Sequence, residues 1–124
     1  MSDDLLSGRR VLLVEDEYFL ARELDRAFRA AGAVVLGPVP SIEAALDLLQ
    51  GDAAPDAAVL DVNLGGELVL PVADVLAARG VPFLFTTGYD RTTLPARHLS
   101  VRRLEKPVEM SVTIEEVSRL LRAT

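Results

Sequence analysis

The segment 11–16, with the sequence VLLVED, determines the fold, because a buried strand ends there directly in an acidic pair. Its four apolar residues predict a strand that is covered on both faces. Glu15 and Asp16 then stand at the carboxyl end of that strand. A third acidic residue, Asp61, ends the later apolar run 57–60. We therefore expect three carboxylates to meet at one edge of a sheet.

Short apolar runs alternate with helix-period segments along the whole chain, without an internal repeat or a linker. Strands are predicted at 11–14, 34–36, 57–60, 81–85 and 101–104, and helices around 20–31, 42–49, 69–76, 90–98 and 110–121. This alternation predicts an α/β fold, a doubly wound five-stranded parallel sheet with helices on both faces. The fourth helix should be short or irregular, because Pro95 and the pair Thr92-Thr93 are poor helix formers. Gly37-Pro38 should close the second strand, and residues 63–66 should form a turn.

The bulk composition limits the classes of protein that fit. With 124 residues, half of them hydrophobic, the chain suits one domain with a full core. It has no cysteine, and no apolar run reaches the length of a membrane span. The net charge of −6 argues against nonspecific binding to nucleic acid. We expect a cytoplasmic protein with no membrane segment.

Two further polar residues follow predicted strands. Thr87 ends the fourth strand, and Lys106-Pro107 follows the fifth. Open sheets of this kind bind ligands outside the carboxyl ends of their strands. One site would therefore hold three carboxylates, a hydroxyl and an ammonium group. The only histidine, His98, is interpreted as a surface or helix-end residue.

The three carboxylates indicate a divalent cation, which would relieve their mutual repulsion. Mg²⁺ typically takes one or two protein carboxylates and keeps several waters. Asp16 and Asp61 could bind it directly, and Glu15 directly or through water. The backbone carbonyl of Asn63 could add another oxygen ligand.

The whole set suits a phosphoryl acceptor. Asp61 is the candidate nucleophile, because a carboxylate can form an acyl phosphate. Lys106 and the hydroxyl of Thr87 could each neutralise one phosphoryl oxygen, with Mg²⁺ on another. A cis bond before Pro107 is permitted and would aim Lys106 at the site.

Four motifs resemble the receiver domain of two-component response regulators, and the resemblance covers residues 10–121. The motifs are VLLVEDE at 11–17, LDVNL at 60–64, Thr87-Gly88 and Lys106-Pro107. The family implies a flavodoxin-like sheet with the strand order 2-1-3-4-5. It also implies phosphorylation of Asp61, in a phosphorelay, by a sensor histidine kinase or phosphotransfer protein. Glu15, Asp16 and Asp61 would hold Mg²⁺, and Thr87 and Lys106 would bind the phosphoryl group.

Two positions depart from the usual family pattern. Gly88 follows Thr87, and the stretch around them resembles a single-domain subgroup with a Phe-x-Thr-Gly-Tyr motif. The aromatic residue usual three positions before the lysine is Arg103 here, so the common aromatic switch cannot operate in its usual form. We hypothesise that Tyr89 substitutes for it, with Gly88 allowing the segment to move.

The resemblance also predicts the organisation and the partners. Residues 1–124 would form a single receiver domain without an output domain, so a downstream protein partner would receive the signal. The domain would be a monomer or weak homodimer, and would catalyse only its own phosphorylation and dephosphorylation.

Two alternatives belong to other classes. A receiver-like interaction module could act without phosphorylation. A small phosphohydrolase with an Asp nucleophile would usually carry an acid at position 63, where Asn63 cannot donate a proton as an acid.

Overall fold

Five short strands build one parallel sheet through the middle of the molecule. The computed structural model describes residues 4–88 and 94–123. The strands in these ranges are β1 (Arg10–Val14), β2 (Val34–Val39), β3 (Ala57–Asp61), β4 (Asn63–Leu64), β5 (Glu67–Leu68), β6 (Phe83–Thr87) and β7 (Arg103–Glu105). The α-helices there are α1 (Tyr18–Ala30), α2 (Ile42–Gln50), α3 (Leu70–Ala78) and α4 (Met110–Arg122).

The order of the strands in the sheet is β2-β1-β3-β6-β7, and every neighbouring pair is parallel. Because β6 and β7 are the fourth and fifth strands of this sheet along the chain, the predicted order 2-1-3-4-5 is confirmed. Val14 lies opposite Leu60 in the pairing of β1 with β3. The residues that follow these two strands therefore lie side by side at the carboxyl edge.

Helices cover both faces of the sheet, as predicted. Leu12 and Val14 face a core shared with α2 and α3. Val11 and Leu13 face a second core, which α1 and α4 cover. Since side chains alternate along a strand, the residue after Val14 belongs to the side of α1 and α4.

Local signals fix the ends of two helices. Ser41 is the N-cap of α2, and its hydroxyl oxygen accepts a hydrogen bond from the Ala44 N–H at 3.1 Å. Gly32 follows α1 with a φ of +92°. A Cβ atom on Gly32 would lie 2.9 Å from the Ser7 Cα, so both the conformation and the space require glycine.

Three predicted strand boundaries were wrong by a few residues. β2 continues through the cis Gly37–Pro38 bond to Val39, which pairs with Val14 of β1 after an irregularity in the register. β6 extends to Thr87 and β7 to Glu105, where these two residues pair with each other. Backbone pairing with the neighbouring strand, which the apolar pattern does not encode, decides where each strand ends.

The predicted turn at 63–66 is part of a small hairpin. β4 and β5 pair antiparallel around Gly65 and Gly66, whose φ angles are +59° and +95°. Two central residues with positive φ give a tight connection that suits the twist of the two strands. The hairpin follows Asp61 directly, so it lies beside the carboxyl edge of the sheet.

The described part of the segment between β6 and β7 contains a single 3₁₀ turn, Ala96–His98, in agreement with the predicted short or irregular fourth helix. His98 is the last residue of this turn, which agrees with the expected helix-end position, but it is buried at 3% exposure and does not lie on the surface. Its ring packs edge-on against Phe83 and Phe85 of β6. Its Nε2 lies 2.8 Å from Asp74 Oδ1 on α3.

Asp74 thus anchors the 3₁₀ turn to α3 through two neighbouring residues. The guanidinium of Arg97 donates to both oxygens of the same carboxylate, at 2.8 and 3.0 Å. We call Asp74, Arg97 and His98 the Asp74 clasp.

We expect Asp74→Ala to lower the free energy of unfolding by about 1 kcal/mol near neutral pH, because the bonds to Arg97 and His98 are lost. The loss is this small because the Asp74 carboxylate is 44% exposed and solvent screens its charge. Hydrogen bonds from Arg97 and His98 lower the pKa of Asp74 from 3.8 to about 2. A lowered folded-state pKa makes this contribution complete above pH 3.8 and removes it as the pH falls through about 2. Urea unfolding at both ends of this range would measure the difference. Arg97→Ala, which leaves the His98 bond in place, should have a smaller effect; an Asp74→Ala protein as stable as the wild type would contradict the expectation.

No helix within the described ranges is both long enough and apolar enough to cross a membrane.

Candidate functional site

Three carboxylates meet at the carboxyl edge of the sheet. Glu15 and Asp16 follow β1, and Asp61 is the last residue of β3. Each offers an oxygen, and these oxygens lie within 4.8 Å of one another. Glu15 and Asp61 are 2% and 4% exposed, whereas Asp16 is exposed. Buried carboxylates this close together repel each other strongly unless positive charge lies nearby.

Lys106 supplies positive charge to the two buried carboxylates. Its Nζ donates to Glu15 Oε2 and to Asp61 Oδ2, at 3.2 Å in each case. The lysine follows β7, and its side chain reaches residues at the ends of β1 and β3. The Lys106–Pro107 peptide bond is cis.

The pKa values of these groups record the balance between burial and attraction. Burial raises the pKa of Glu15 from 4.5 to about 7, and the charge of Asp61 adds to this, against the Glu17 N–H and Lys106. Burial also raises the pKa of Asp61, although Lys106 opposes it. Burial alone would lower the pKa of Lys106, but the two carboxylates outweigh it and the pKa is raised. Lys106 therefore offsets only part of the negative charge of the three carboxylates.

The hairpin that follows β3 holds the more exposed acid. The Gly65 N–H donates to Asp16 Oδ2 at 2.9 Å. The Asn63 N–H donates to Asp61 Oδ1 at 3.3 Å, and the Asn63 side chain accepts a hydrogen bond from the Gly66 N–H. Backbone N–H groups of the hairpin thus orient two of the carboxylates, those of Asp16 and Asp61.

Thr87 is joined to the site through its backbone. Its carbonyl oxygen accepts a hydrogen bond from the Lys106 N–H at 2.7 Å. Asp61 pairs in the sheet with Thr86 rather than with Thr87. Because partners in a parallel ladder point to the same face, Thr86 shares the face of Asp61. The sequence analysis did not single out Thr86, because its position beside Asp61 follows from the register of β6 with β3.

A groove of about 390 Å³ opens beside Lys106. Gly88 and Pro107 line one side of it, and Phe19 and Leu20 of α1 line the other. Phe19 is 80% exposed. The groove therefore combines an exposed apolar ring with the side chain of Lys106.

Two residues named for the switch differ in what can be described. Arg103 is exposed on β7, opposite Phe85 in the register. Tyr89, the hypothetical substitute for the missing aromatic residue, lies outside the described residues.

The chemistry of the donor set fits a hard divalent cation. Mg²⁺ prefers carboxylate oxygens and tolerates few protein ligands. Glu15 Oε1 is buried and has no hydrogen-bond partner among the residues described, so one member of the carboxylate cluster keeps an unused acceptor. A cation would satisfy this oxygen and offset the excess negative charge.

Solved structures give the comparison, since no protein-family model and no curated protein matches the chain. The solution structure of SdrG from Sphingomonas melonis Fr1 is 35% identical, covers 95% of this chain and 98% of its own, and has a TM-score of 0.77. A response regulator receiver protein from Burkholderia phymatum is 28% identical over 93% of this chain and 96% of its own, with a TM-score of 0.79. One from Sinorhizobium medicae WSM419 is 27% identical over 95% of this chain and 98% of its own, with a TM-score of 0.80.

The sheet order, the acidic edge and these structures define one class: the chain belongs to the receiver domains of response regulators. Its place is therefore in two-component signalling. Domains of this class interact with histidine kinases and downstream effectors, and are not classical enzymes.

Proposed function

We propose that the protein is an Mg²⁺-dependent phosphoacceptor, and that Asp61 receives a phosphoryl group from a phosphohistidine. The donor would be a sensor histidine kinase or a phosphotransfer protein. The observation that carries this proposal is the position of Lys106 Nζ, 3.2 Å from both Asp61 and Glu15, within a cluster of three carboxylates. Asp61 is a buried nucleophile, and the ammonium of Lys106 is held beside it. This arrangement suits phosphoryl transfer, in which the protein contributes mainly positioning and charge neutralisation.

The transfer is a displacement at phosphorus. An oxygen of the Asp61 carboxylate attacks in line, and the P–N bond of the phosphohistidine breaks. The electron pair stays on the imidazole nitrogen, which then takes up a proton. Lys106 neutralises one phosphoryl oxygen and the Thr87 hydroxyl donates to another. The product is an acyl phosphate on Asp61.

Glu15, Asp16 and Asp61 would hold the cation, together with the carbonyl of Asn63. When bound, Mg²⁺ supplies charge for the phosphoryl oxygens and removes the repulsion between the carboxylates. Exclusion of water by the buried position of Asp61 adds to the strength of each charge interaction.

The phosphoryl group then changes the surface that a partner contacts. It adds up to about two negative charges next to Lys106 and Thr87. Both residues would tighten toward it, and the backbone bond between them would carry the change to the start of the segment after β6. The downstream protein partner would prefer this second conformation. The exposed Phe19 and its groove support docking of the phosphodonor beside the acceptor.

Intact-mass spectrometry tests the proposal. Wild-type protein incubated with a small phosphodonor and Mg²⁺ should gain the mass of one phosphoryl group. An arm with a metal chelator should gain none. An unchanged mass in all arms, also with histidine kinases supplied as donors, would favour the receiver-like module that acts without phosphorylation.

We expect Mg²⁺ to raise the thermal midpoint of the wild-type protein. At ten times the dissociation constant, mass action adds about 1.4 kcal/mol to the free energy of unfolding. Asp16→Asn should lose most of this gain, because an amide keeps the bond to Gly65 but lacks the charge. Asp52→Asn, in the exposed loop after α2, is the matched control. An Mg²⁺ response in Asp16→Asn equal to that of the control would remove Asp16 from the set of ligands.

A further inference from the structure

Two buried side-chain atoms have no hydrogen-bond partner in the described part of the chain: Glu15 Oε1 and Thr86 Oγ1. The first belongs to the carboxylate cluster of the proposed cation site. Thr86 is 1% exposed, and the proposed cation does not account for its unpaired hydroxyl. A valine has the same shape and would fill the position without burying an unsatisfied hydroxyl. The threonine therefore destabilises the empty form. A second form of the protein in which the hydroxyl is hydrogen-bonded would explain why threonine stands at this position.

The strand register places Thr86 in the acceptor site. It lies between Asp61 of β3 and Leu104 of β7, as the ladder partner of both. Leu84 and Leu104 belong to the core under α1 and α4. Asp61, Thr86 and Leu104 therefore point to the same side of the sheet. Lys106, two residues after Leu104, is on that side as well.

The side chain of Lys106 has to pass the end of β6 to reach its partners. It starts beyond β7, and its Nζ bonds residues at the ends of β3 and β1, while β6 lies between β7 and β3. Thr86 is the β6 residue on the face that this side chain crosses. Of the two buried unpaired atoms among the described residues, the Thr86 hydroxyl is the one on β6, the strand that the lysine crosses.

The present partners of Lys106 are the oxygens that a cation would compete for. Glu15 Oε2 and Asp61 Oδ2 each accept a bond from Nζ. A divalent cation on these carboxylates repels the ammonium and weakens both bonds. An ammonium has three donors and needs new acceptors once it withdraws.

We propose that Thr86 is a positioning residue, whose hydroxyl accepts a hydrogen bond from the Lys106 ammonium when Mg²⁺ occupies the carboxylates. This rests on the metal site of the proposed function. Thr86 would hold the lysine between the carboxylates and the place where the phosphoryl group arrives. The hydroxyl that is unpaired in the empty form is then paired in the loaded form.

Thermodynamic linkage predicts that Thr86→Val lowers the affinity for Mg²⁺. Thr86→Val removes an unsatisfied hydroxyl from the empty form and a hydrogen bond from the loaded form. Both changes weaken Mg²⁺ binding, because each favours the empty form relative to the loaded one. The lost hydrogen bond lowers the affinity about fivefold to tenfold, and the relieved hydroxyl of the empty form contributes a similar factor, so the affinity falls about thirtyfold in total. In the absence of Mg²⁺, the same variant should melt about 3–5 °C higher.

Lys106 is the only lysine in the chain, so isotope-labelled lysine gives one side-chain signal in an NMR spectrum. We would titrate Mg²⁺ alone into wild type, Thr86→Val and Thr86→Ser. Wild type and Thr86→Ser should show a saturable shift of this signal at similar Mg²⁺ concentrations, because serine keeps the hydroxyl. Thr86→Val should need about thirtyfold more Mg²⁺.

Three results would overturn the proposal: a lysine signal in the wild type that ignores Mg²⁺, wild-type affinity in Thr86→Val, or a lower melting temperature of Thr86→Val without Mg²⁺. The last would mean that the hydroxyl already has a partner in the empty form. Loss of phosphorylation with an intact Mg²⁺ response would count against the proposed function alone.

Discussion

Asp61→Asn is expected to abolish the gain of a phosphoryl group entirely. A neutral amide cannot form an acyl phosphate, and no geometric rearrangement of the site replaces the missing carboxylate oxygen. The variant should remain folded, because asparagine keeps the shape of the side chain and an oxygen for the Asn63 N–H. Intact mass after incubation with a small phosphodonor and Mg²⁺ measures the effect, and thermal unfolding verifies the fold.

Asp52→Asn serves as the control for this experiment, since it makes the same chemical change in an exposed loop. It should gain one phosphoryl group, as the wild type does. A phosphorylated Asp61→Asn protein would place the acceptor elsewhere. Peptide mapping would then distinguish Glu15, Asp16 and His98 as the modified residue.

Lys106→Met should cause the largest loss of stability. It leaves the buried carboxylates of Glu15 and Asp61 without their cation, although methionine keeps much of the apolar stem. We expect the free energy of unfolding to fall by about 2–4 kcal/mol in the absence of Mg²⁺, below the full value for a buried pair because Lys106 is 19% exposed. Urea unfolding with a chelator present measures this loss.

Mg²⁺ should recover most of the stability of Lys106→Met, since the cation replaces the missing positive charge. Phosphorylation of this variant should persist at a reduced rate, without the change at the partner surface. Arg103→Met, on the exposed side of β7, is the control for removing a positive charge nearby. A Lys106→Met protein as stable as that control would show that the two ion pairs contribute nothing.

The sequence was sufficient for the parallel sheet and for the meeting of its polar residues at one edge. Strand-end acids after VLLV and AAVL are a strong signal, because parallel strands bring their carboxyl ends together. The sequence was not sufficient to place Thr86 beside Asp61. Adjacent residues in a strand point to opposite faces, so this placement requires the register with β3.

His98 illustrates a second limit. A single histidine in a polar stretch, RHLS, gives no sign of burial. Its position depends on Phe83, Phe85 and Asp74, which are 13 to 24 residues away along the chain and reach it only through tertiary packing. Polar residues buried by distant partners are invisible to periodicity, which records only the face of their own element.

The sheet separates the carboxylate site from the Asp74 clasp. Glu15, Asp61 and Lys106 lie toward α1 and α4, whereas the Asp74 clasp and the phenylalanine rings of β6 lie toward α2 and α3. The end of β6 touches both sides, because Thr86 pairs with Asp61, the Thr87 carbonyl accepts a hydrogen bond from the Lys106 N–H, and the Phe85 ring packs on His98. A displacement of this strand end would therefore be felt at the carboxylates on one face of the sheet and at the 3₁₀ turn on the other.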